Sequence, residues 1–119
     1  MNEHTIVRGE VWLTDLEAGK KAEQSRVRLA LVVSATEMNS TASGLVTVLP
    51  VTTRELHIPA HVKLEPPEGG VLRTSFVVCD NIHTIAQDRL SKKLGVISNA
   101  TMQRVESTLS MILGFELSR

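Results

Sequence analysis

Hydrophobic and polar positions follow two different periods along this chain. Before Ser98, apolar residues occur in short runs or at every second position, which is typical of β-strands. Beyond Ser98 they recur every three to four residues, at Met102, Val105, Leu109 and Ile112. This spacing predicts a helix over 99–113 with one apolar stripe, which Ser98 or Asn99 caps and Gly114 ends.

The strand-like segments are short and lie close together in the chain. They cover residues 6–14, 27–34, 45–51, 57–64, 71–79 and 89–96, the fifth continuing toward Ile85. Gly9 inside the first segment indicates a bulge or a close backbone approach. The second segment is almost entirely apolar, which predicts a central strand, and Pro50 is expected to end the pairing of the third.

Turns and loops separate these segments. Residues 65–70, Glu-Pro-Pro-Glu-Gly-Gly, are a strong turn signal and predict that 57–64 and 71–79 form a hairpin. Pro59 lies on the outward face of its segment and therefore marks an edge strand. Residues 15–26 form a long polar loop, of the kind that is often functional, and 34–44 a connection with one helical turn.

Five or six short strands followed by one packing helix predict a mainly β fold with a C-terminal helix, built as a small, strongly bent β-barrel. The chain has 119 residues, enough for one core, so we expect a single domain over 1–119. Its composition, 42% hydrophobic and 22% charged, is that of an ordinary globular protein.

Charge and composition exclude several classes of function. Thirteen basic and 13 acidic residues give a formal net charge of zero, which argues against nonspecific coating of nucleic acid but leaves room for a local basic groove. One tryptophan and two phenylalanines limit base stacking to a small part in any binding. No histidine, cysteine or carboxylate cluster has metal-ligand spacing, so we expect no metal site and no cofactor.

The expected location is the cytoplasm. The sequence has no apolar run near twenty residues, and its start, Met1-Asn2-Glu3-His4, lacks the features of a signal peptide. Its single cysteine, Cys79, excludes an internal disulfide and fits a reducing compartment. We therefore predict no membrane association.

The strongest candidate for chemistry is the polar stretch 23–28, which leads into the apolar strand beginning at Val27. Arg28 lies at the junction, and Thr52 ends the next apolar segment. If the two strands are neighbours, Arg28 and Thr52 come close, with Glu23 nearby; an arginine fork, a hydroxyl and a carboxylate suit a phosphodiester. The plainer interpretation is a solvated arginine, a strand-end hydroxyl and a loop carboxylate.

An ordered set of short motifs goes further than any single residue. The set comprises Arg8-Gly9-Glu10-Val11-Trp12-Leu13 with Asp15, Glu23-Gln24 before Arg28, Leu31-Val32-Val33-Ser34 with Asn39, Val48-Leu49-Pro50-Val51-Thr52-Thr53, Ser75, Asp80-Asn81-Ile82-His83-Thr84-Ile85, Arg89-Leu90 and Leu94-Gly95. In these motifs the chain resembles the MazF/PemK-like (Kid-like) toxins of bacterial toxin–antitoxin pairs, which are ribosome-independent endoribonucleases.

The resemblance implies an SH3-like barrel with a C-terminal helix, of the MazF/CcdB/Kid type, working as a homodimer in the bacterial cytoplasm. It also implies cleavage of single-stranded RNA without a metal, in which the 2′-hydroxyl attacks the adjacent phosphorus to give 2′,3′-cyclic phosphate and 5′-hydroxyl ends. The expected partner is a small cognate MazE-like antitoxin, whose disordered acidic segment fills the RNA groove.

The resemblance also assigns residues to the site. Arg28 matches the family's invariant arginine, Thr52 its catalytic serine or threonine, and Glu23 a glutamate that acts as general base or orients Arg28. The remaining candidates, all for substrate binding, are Gln24, Arg26, Trp12, Asn39, Ser75, Asn81 and His83. Which group is the general acid and which the general base stays open.

Several positions depart from the family pattern. Leu29 replaces the usual proline after the arginine, Arg26 adds bulk and charge where glycine is common, and Asn81 and His83 replace a glutamine and an arginine. Two alternatives are therefore kept: an inactive binding module, and a non-enzymatic gyrase poison of the CcdB type. The ending 114–119, Gly-Phe-Glu-Leu-Ser-Arg, lacks the Trp-Gly-Ile tail of the latter.

Overall fold

The computed structural model describes residues 5–16 and 27–115, which form one antiparallel sheet and a C-terminal helix. The described strands are β1 (Glu10–Asp15), β2 (Val27–Val32), β3 (Leu45–Thr52), β4 (His61–Leu64), β5 (Ser75–Val78), β6 (His83–Ala86) and β7 (Leu90–Val96). The α-helices are α1 (Thr36–Asn39) and α2 (Asn99–Leu113), and 3₁₀ turns lie at Glu68–Gly70 and Gln87–Arg89. In this described part no helix is long and apolar enough to cross a membrane.

The strands follow the order β4-β5-β3-β2-β1-β7, with β6 placed beside β3. One edge of β3 changes its partner along its length: Leu45 to Val48 pair with β6, whereas Val51 and Thr52 pair with β5. The mainly β fold with a C-terminal helix is confirmed. Hydrogen bonds do not close a barrel, since within the described residues the outer strands β4 and β7 are not paired.

The sheet buries apolar side chains on both of its faces. Residues on one face, including Val11, Leu31 and Leu49, form a core with Met102 and Val105 of α2. Their neighbours in sequence form a second cluster on the opposite face: Ile6, Ala30, Val32, Val46, Val48 and Ile85. Because successive side chains of a strand point to opposite faces, the nearly continuous apolar runs of β2 and β3 supply both clusters.

Helix α2 has the predicted bounds and caps. The Ser98 hydroxyl accepts a hydrogen bond from the Thr101 amide (3.1 Å), and Gly114 ends the helix in the left-handed conformation at φ 77°. Glu68, in the 3₁₀ turn before β5, accepts a further hydrogen bond from the Ser98 amide (2.9 Å). The turn therefore supports the start of the helix, where amide groups lack partners within the helix itself.

Several predicted strand bounds were wrong. Pro50 lies inside β3, opposite Ala30 of β2. On its other edge β3 pairs with β6 up to Val48 and with β5 from Val51, so Pro50 falls between the two pairings. The N–H that proline lacks therefore interrupts neither of them. β1 begins only at Glu10, because Gly9 turns the chain with φ 97°. The segment expected to continue from 71 to Ile85 instead holds two strands, β5 and β6, separated at 79–82.

The β4–β5 hairpin and its edge position are confirmed, although both strands are shorter than predicted. β4 starts at His61, since His57 adopts a positive φ of 55° that breaks an extended strand. β4 pairs on one side with β5, from His61 opposite Val78 to Leu64 opposite Ser75. β2 occupies the predicted central position, and β7, over Leu90–Val96, matches the expected last strand.

Candidate functional site

The start of β2 and the end of β3 bring two of the predicted catalytic residues together. Leu29 pairs with Val51 in the antiparallel register, so one further step places Arg28 opposite Thr52. Cα atoms of residues so placed are about 5 Å apart. On its other side Arg28 pairs with Thr14 of β1. The first two residues of β2, Val27 and Arg28, are exposed, whereas Ala30 and the residues after it in the strand are buried.

A small pocket of about 190 Å³ opens beside this pair. It is lined by Leu16, Arg28, Pro50, Asn81 and His83. The pocket exists because β6 pairs with β3 up to Val48, opposite His83, and leaves the edge of β3 open at Pro50. Arg28, Asn81 and His83 were all predicted site residues, and two separate segments of the chain, the start of β2 and residues 81–83, converge to join them. Leu16 and Pro50, the apolar part of the lining, were not predicted.

Thr52 carries a hydroxyl whose orientation is constrained. Its Oγ1 accepts a hydrogen bond from the backbone N–H of Arg54, at 3.1 Å. With one lone pair engaged in this way, the O–H proton is left to donate elsewhere. The side chain is half-exposed, so a ligand held by Arg28 can receive this hydrogen bond. Arg54, two residues further along the chain, is exposed and adds a positive charge near the end of the strand.

Three predicted residues lie outside the described part of the chain. They are Glu23, Gln24 and Arg26, in the loop between β1 and β2. The loop leaves β1 at Asp15 and enters β2 at Val27, two residues that pair with each other. Its two attachment points are therefore adjacent to Arg28.

Asn39 and Ser75, both predicted to bind substrate, are instead buried parts of the fold. Asn39 is 5% exposed and donates from Nδ2 to the carbonyl oxygens of Ile6 (2.9 Å) and Ser34 (3.3 Å). Ser75 is 2% exposed, and its hydroxyl donates to the Arg73 carbonyl oxygen at 2.8 Å. Their polar atoms hold loops to the sheet, so substrate binding is no longer proposed for them.

Trp12, the other predicted binding residue, belongs to a second and larger pocket. The pocket measures about 810 Å³ and is lined by Thr5, Ile6, Glu10, Trp12, Gln87, Asp88, Leu90, Ser91, Lys92 and Lys93. Sequence reasoning missed its lysines, because β7 pairs with β1 although the two strands are far apart in the chain. The detectable signal was the pair Lys92-Lys93 inside an otherwise strand-like segment.

The remaining reactive groups are not poised for catalysis. Burial raises the pKa of the Cys79 thiol to about 12, with a smaller contribution from the charge of Asp80, so this thiol stays protonated near neutral pH. The described residues include no group of three histidine, cysteine, aspartate or glutamate side chains arranged to hold a metal ion. The pocket and the neighbouring Thr52 offer charge stabilisation by Arg28, hydrogen bonding by Thr52 and Asn81, and proton transfer by His83.

Comparisons with known proteins identify the family. The family model described as "PemK-like, MazF-like toxin of type II toxin-antitoxin system" matches residues 7–113. Over 111 residues the chain is 32% identical to the endoribonuclease MazF9 of Mycobacterium tuberculosis, covering 89% of this chain and 94% of the relative.

Solved structures give the same result. An endoribonuclease from a mycobacterial species superposes with a TM-score of 0.77 at 27% identity, and the match covers 97% of each chain. A mycobacterial endoribonuclease in complex with its cognate antitoxin superposes with a TM-score of 0.76 at 28% identity, over 95% of this chain and 99% of that chain.

Proposed function

The chain belongs to the PemK-like, MazF-like toxin family of type II toxin–antitoxin systems, and on that premise we propose that it cleaves single-stranded RNA at the pocket beside Arg28 and Thr52. Family membership and the 32% identical relative make it an endoribonuclease toxin of a toxin–antitoxin pair. The observation that supports this location is the convergence of Arg28, Asn81 and His83 on one pocket next to the Thr52 hydroxyl.

The proposed reaction is an internal transesterification. The 2′-oxygen of the substrate forms a bond to the adjacent phosphorus and loses its proton, while the bond from phosphorus to the 5′-oxygen breaks and that oxygen gains a proton. The products are a 2′,3′-cyclic phosphate and a 5′-hydroxyl. Because DNA lacks the 2′-hydroxyl, the same site leaves DNA uncleaved.

Each residue has a role that follows from its chemistry. The Arg28 guanidinium stabilises the negative charge that develops on the phosphoryl oxygens, and Thr52 donates a hydrogen bond to one of them. Glu23 and His83 are the candidates for the proton transfers, and the assignment of acid and base between them stays open. Asn81, together with Gln24 and Arg26, contacts the substrate.

The reaction needs no metal ion or other cofactor, because the nucleophile is part of the substrate and Arg28 supplies the positive charge. We further propose that the toxin acts as a homodimer in the bacterial cytoplasm. A MazE-like antitoxin binds it and blocks the RNA groove. In support of such a partner, a mycobacterial endoribonuclease of similar structure forms a complex with its cognate antitoxin.

Substitution of Arg28 tests the proposal. Arg28→Ala removes the charge at the phosphoryl group, and we expect the rate of RNA cleavage to fall by about 100- to 1,000-fold. Arg104→Ala is the matched control, since Arg104 is an arginine of α2 outside the pocket, and it should cleave normally. Circular dichroism and thermal melting establish that both variants are folded.

The outcomes separate the candidate functions. Cleavage by Arg28→Ala within a few-fold of the unmodified chain would contradict the proposed site. Intact RNA with the unmodified protein, over a broad panel of sequences, would favour the gyrase poison or the inactive binding module instead.

A further inference from the structure

The pocket around Trp12 has a different character from the one at Arg28. It combines one aromatic wall, apolar side chains from Ile6 and Leu90, and a polar rim, in a volume of about 810 Å³. Pockets of this size and mixed lining are typical of small-ligand sites. Nothing in the catalytic proposal uses this pocket, so its occupant is a separate question.

A buried hydrogen-bond network fixes the indole of Trp12. Glu10 is only 5% exposed, and its Oε1 accepts hydrogen bonds from Trp12 Nε1 (3.0 Å) and from the Val7 amide (3.1 Å). Its Oε2 forms an ion pair with Lys93 Nζ at 3.1 Å. The carboxylate thus holds one wall of the pocket and one of its lysines in place. A rigid aromatic surface of this kind loses little conformational entropy when a ligand stacks on it.

Gln87, another residue of the lining, is also constrained. Gln87 donates from Nε2 to the carbonyl oxygens of Asn39 (2.6 Å) and Leu45 (2.9 Å), which ties the 3₁₀ turn Gln87–Arg89 to α1 and β3. Asp88 and Ser91 also line the pocket. The Ser91 hydroxyl donates to the Leu13 carbonyl oxygen at 3.1 Å, so it can only accept a hydrogen bond from a ligand, as can the Asp88 carboxylate. The pocket therefore offers a flat apolar wall and a polar edge, the pattern that suits a nucleobase.

The charges of the pocket favour a base over a phosphate. Two lysines, Lys92 and Lys93, are matched by two carboxylates, Glu10 and Asp88, and Lys93 is already paired with Glu10. A neutral aromatic ligand with donor and acceptor atoms fits this balance. A phosphate dianion would instead require a clear excess of positive charge.

The register of the sheet connects this pocket to the proposed catalytic site. Thr14 of β1 pairs with Arg28, and Trp12, two residues earlier on the same face of the strand, pairs with Ala30. Diagonal neighbours of this kind have Cα atoms about 7–8 Å apart. Trp12, Leu16 and Leu90 also pack against one apolar cluster beneath both pockets. An RNA strand held at Arg28 can therefore place an adjoining base against Trp12.

We propose that the pocket formed by Trp12, Gln87, Asp88, Ser91 and Lys92 binds the nucleobase next to the scissile phosphate, and that it contributes to sequence selectivity. The base stacks on the indole, and the edge groups of the rim contact its hydrogen-bonding atoms. This inference rests on the proposed function, because it assumes that the phosphate lies at Arg28.

The first test uses the fluorescence of Trp12, which is the only tryptophan in a chain that has no tyrosine. The unmodified protein is titrated with each of the four common ribonucleoside 5′-monophosphates at millimolar concentration, with ribose 5-phosphate as the ligand that lacks a base. At least one nucleotide should change the fluorescence saturably, and ribose 5-phosphate should not. No saturable change with any nucleotide, or an equal change with ribose 5-phosphate, would overturn the proposal.

The second test measures RNA cleavage by variants of Trp12. Trp12→Leu keeps an apolar side chain but removes the stacking surface, so KM should rise about 5- to 100-fold with kcat nearly unchanged. Mapped cleavage sites should lose selectivity at one base beside the cut. Trp12→Phe should restore most of the affinity, and Phe115→Leu, at an exposed aromatic residue outside the pocket, should behave as the unmodified chain.

Failure of this inference is distinguishable from failure of the proposed function. If the unmodified protein cleaves RNA but Trp12→Leu keeps its KM and selectivity, the pocket is not a base site and the catalytic proposal stands. If Trp12→Leu or Lys92→Ala changes sedimentation rather than RNA affinity, the pocket is an interface between copies of the chain, and the proposal is wrong. If no RNA is cleaved, the proposed function fails, and the nucleotide titration alone decides the pocket.

Discussion

At the scale of single residues, the account depends on one side chain at the start of a strand. β2 fixes the backbone of the exposed Arg28. The residue pairs with Thr14 of β1 on one side, and the register of β2 with β3 places it opposite Thr52 on the other. A guanidinium held in this way stabilises developing charge without a large reorganisation during the reaction. The departure at Leu29 does not disturb this placement, because Leu29 pairs in register with both Leu13 and Val51.

Thr52 gives the sharpest prediction at this scale. Thr52→Val keeps the shape of the side chain but removes the hydroxyl, so we expect kcat for RNA cleavage to fall by about 10- to 100-fold through loss of one hydrogen bond in the transition state. Thr53→Val is the matched control, because Thr53 is the exposed neighbour beyond the end of β3. Equal rates for both variants would exclude Thr52 from the chemistry.

The candidate residues differ in how far the sequence could place them. Arg28 and Thr52 could be paired in advance because Arg28 begins one apolar strand, Thr52 ends the next, and the two strands follow each other in the chain. The burial of Asn39 and Ser75 was not predictable, since it depends on contacts distant in the chain, such as those of Asn39 with Ile6 and of Ser75 with Leu64 in the β4–β5 pair.

At the scale of elements, regular periods were predictable and interruptions were not. The apolar stripe of α2 and the turn residues at its ends fixed its bounds over Asn99–Leu113. Pro50 was misassigned because a proline usually ends strand pairing, whereas here it lies where β3 changes its partner. The positive φ of His57, which shortens β4, had no signal in the alternating pattern around it.

The start of α2 carries a prediction about stability. Burial alone would raise the pKa of Glu68, but hydrogen bonds from Thr101 and Ser98 and the nearby charge of Arg104 lower it below the ordinary value of 4.5. Stability from this carboxylate is therefore fully present above pH 4.5 and is lost as the pH falls through the lower folded-state pKa.

Urea unfolding of Glu68→Gln and the unmodified chain measures this effect. The unmodified chain should be more stable near neutral pH, and the difference should shrink as the pH falls from 4.5 through the lowered pKa of Glu68. Ser98→Ala, which removes the cap of the same helix, should cost about 1 kcal/mol near neutral pH. Part of that cost should also fall at low pH, because the Ser98 side chain hydrogen-bonds to Glu68. The role assigned to the Glu68 carboxylate would be contradicted if the free energy of unfolding differed between Glu68→Gln and the unmodified chain by the same amount at every pH.

At the scale of the whole molecule, a neutral protein is expected to bind a polyanion through a few local cations. The formal net charge is zero, with 13 basic and 13 acidic residues, so the attraction to RNA is concentrated near Arg28 and Arg54. For single strands, each neutralised phosphate contributes about −0.7 to the slope of log K against log salt concentration. We expect a slope of about −2, which corresponds to roughly three phosphates.

This slope can be measured by the fluorescence anisotropy of a labelled RNA oligonucleotide at several salt concentrations. The Arg28→Lys variant is used because it keeps the positive charge but slows cleavage of the RNA. Arg54→Ala should make the slope shallower by about 0.7. A slope steeper than about −5 would indicate a broad cationic surface and would contradict the local site.

The most direct test of the central claim is the chemistry of the RNA ends. The unmodified protein is incubated with a long single-stranded RNA in EDTA, and the termini of the fragments are mapped. The account predicts discrete fragments with 2′,3′-cyclic phosphate and 5′-hydroxyl ends, and intact DNA of the same sequence. Fragments with 5′-phosphate ends, or cleavage that appears only when magnesium is restored, would contradict it.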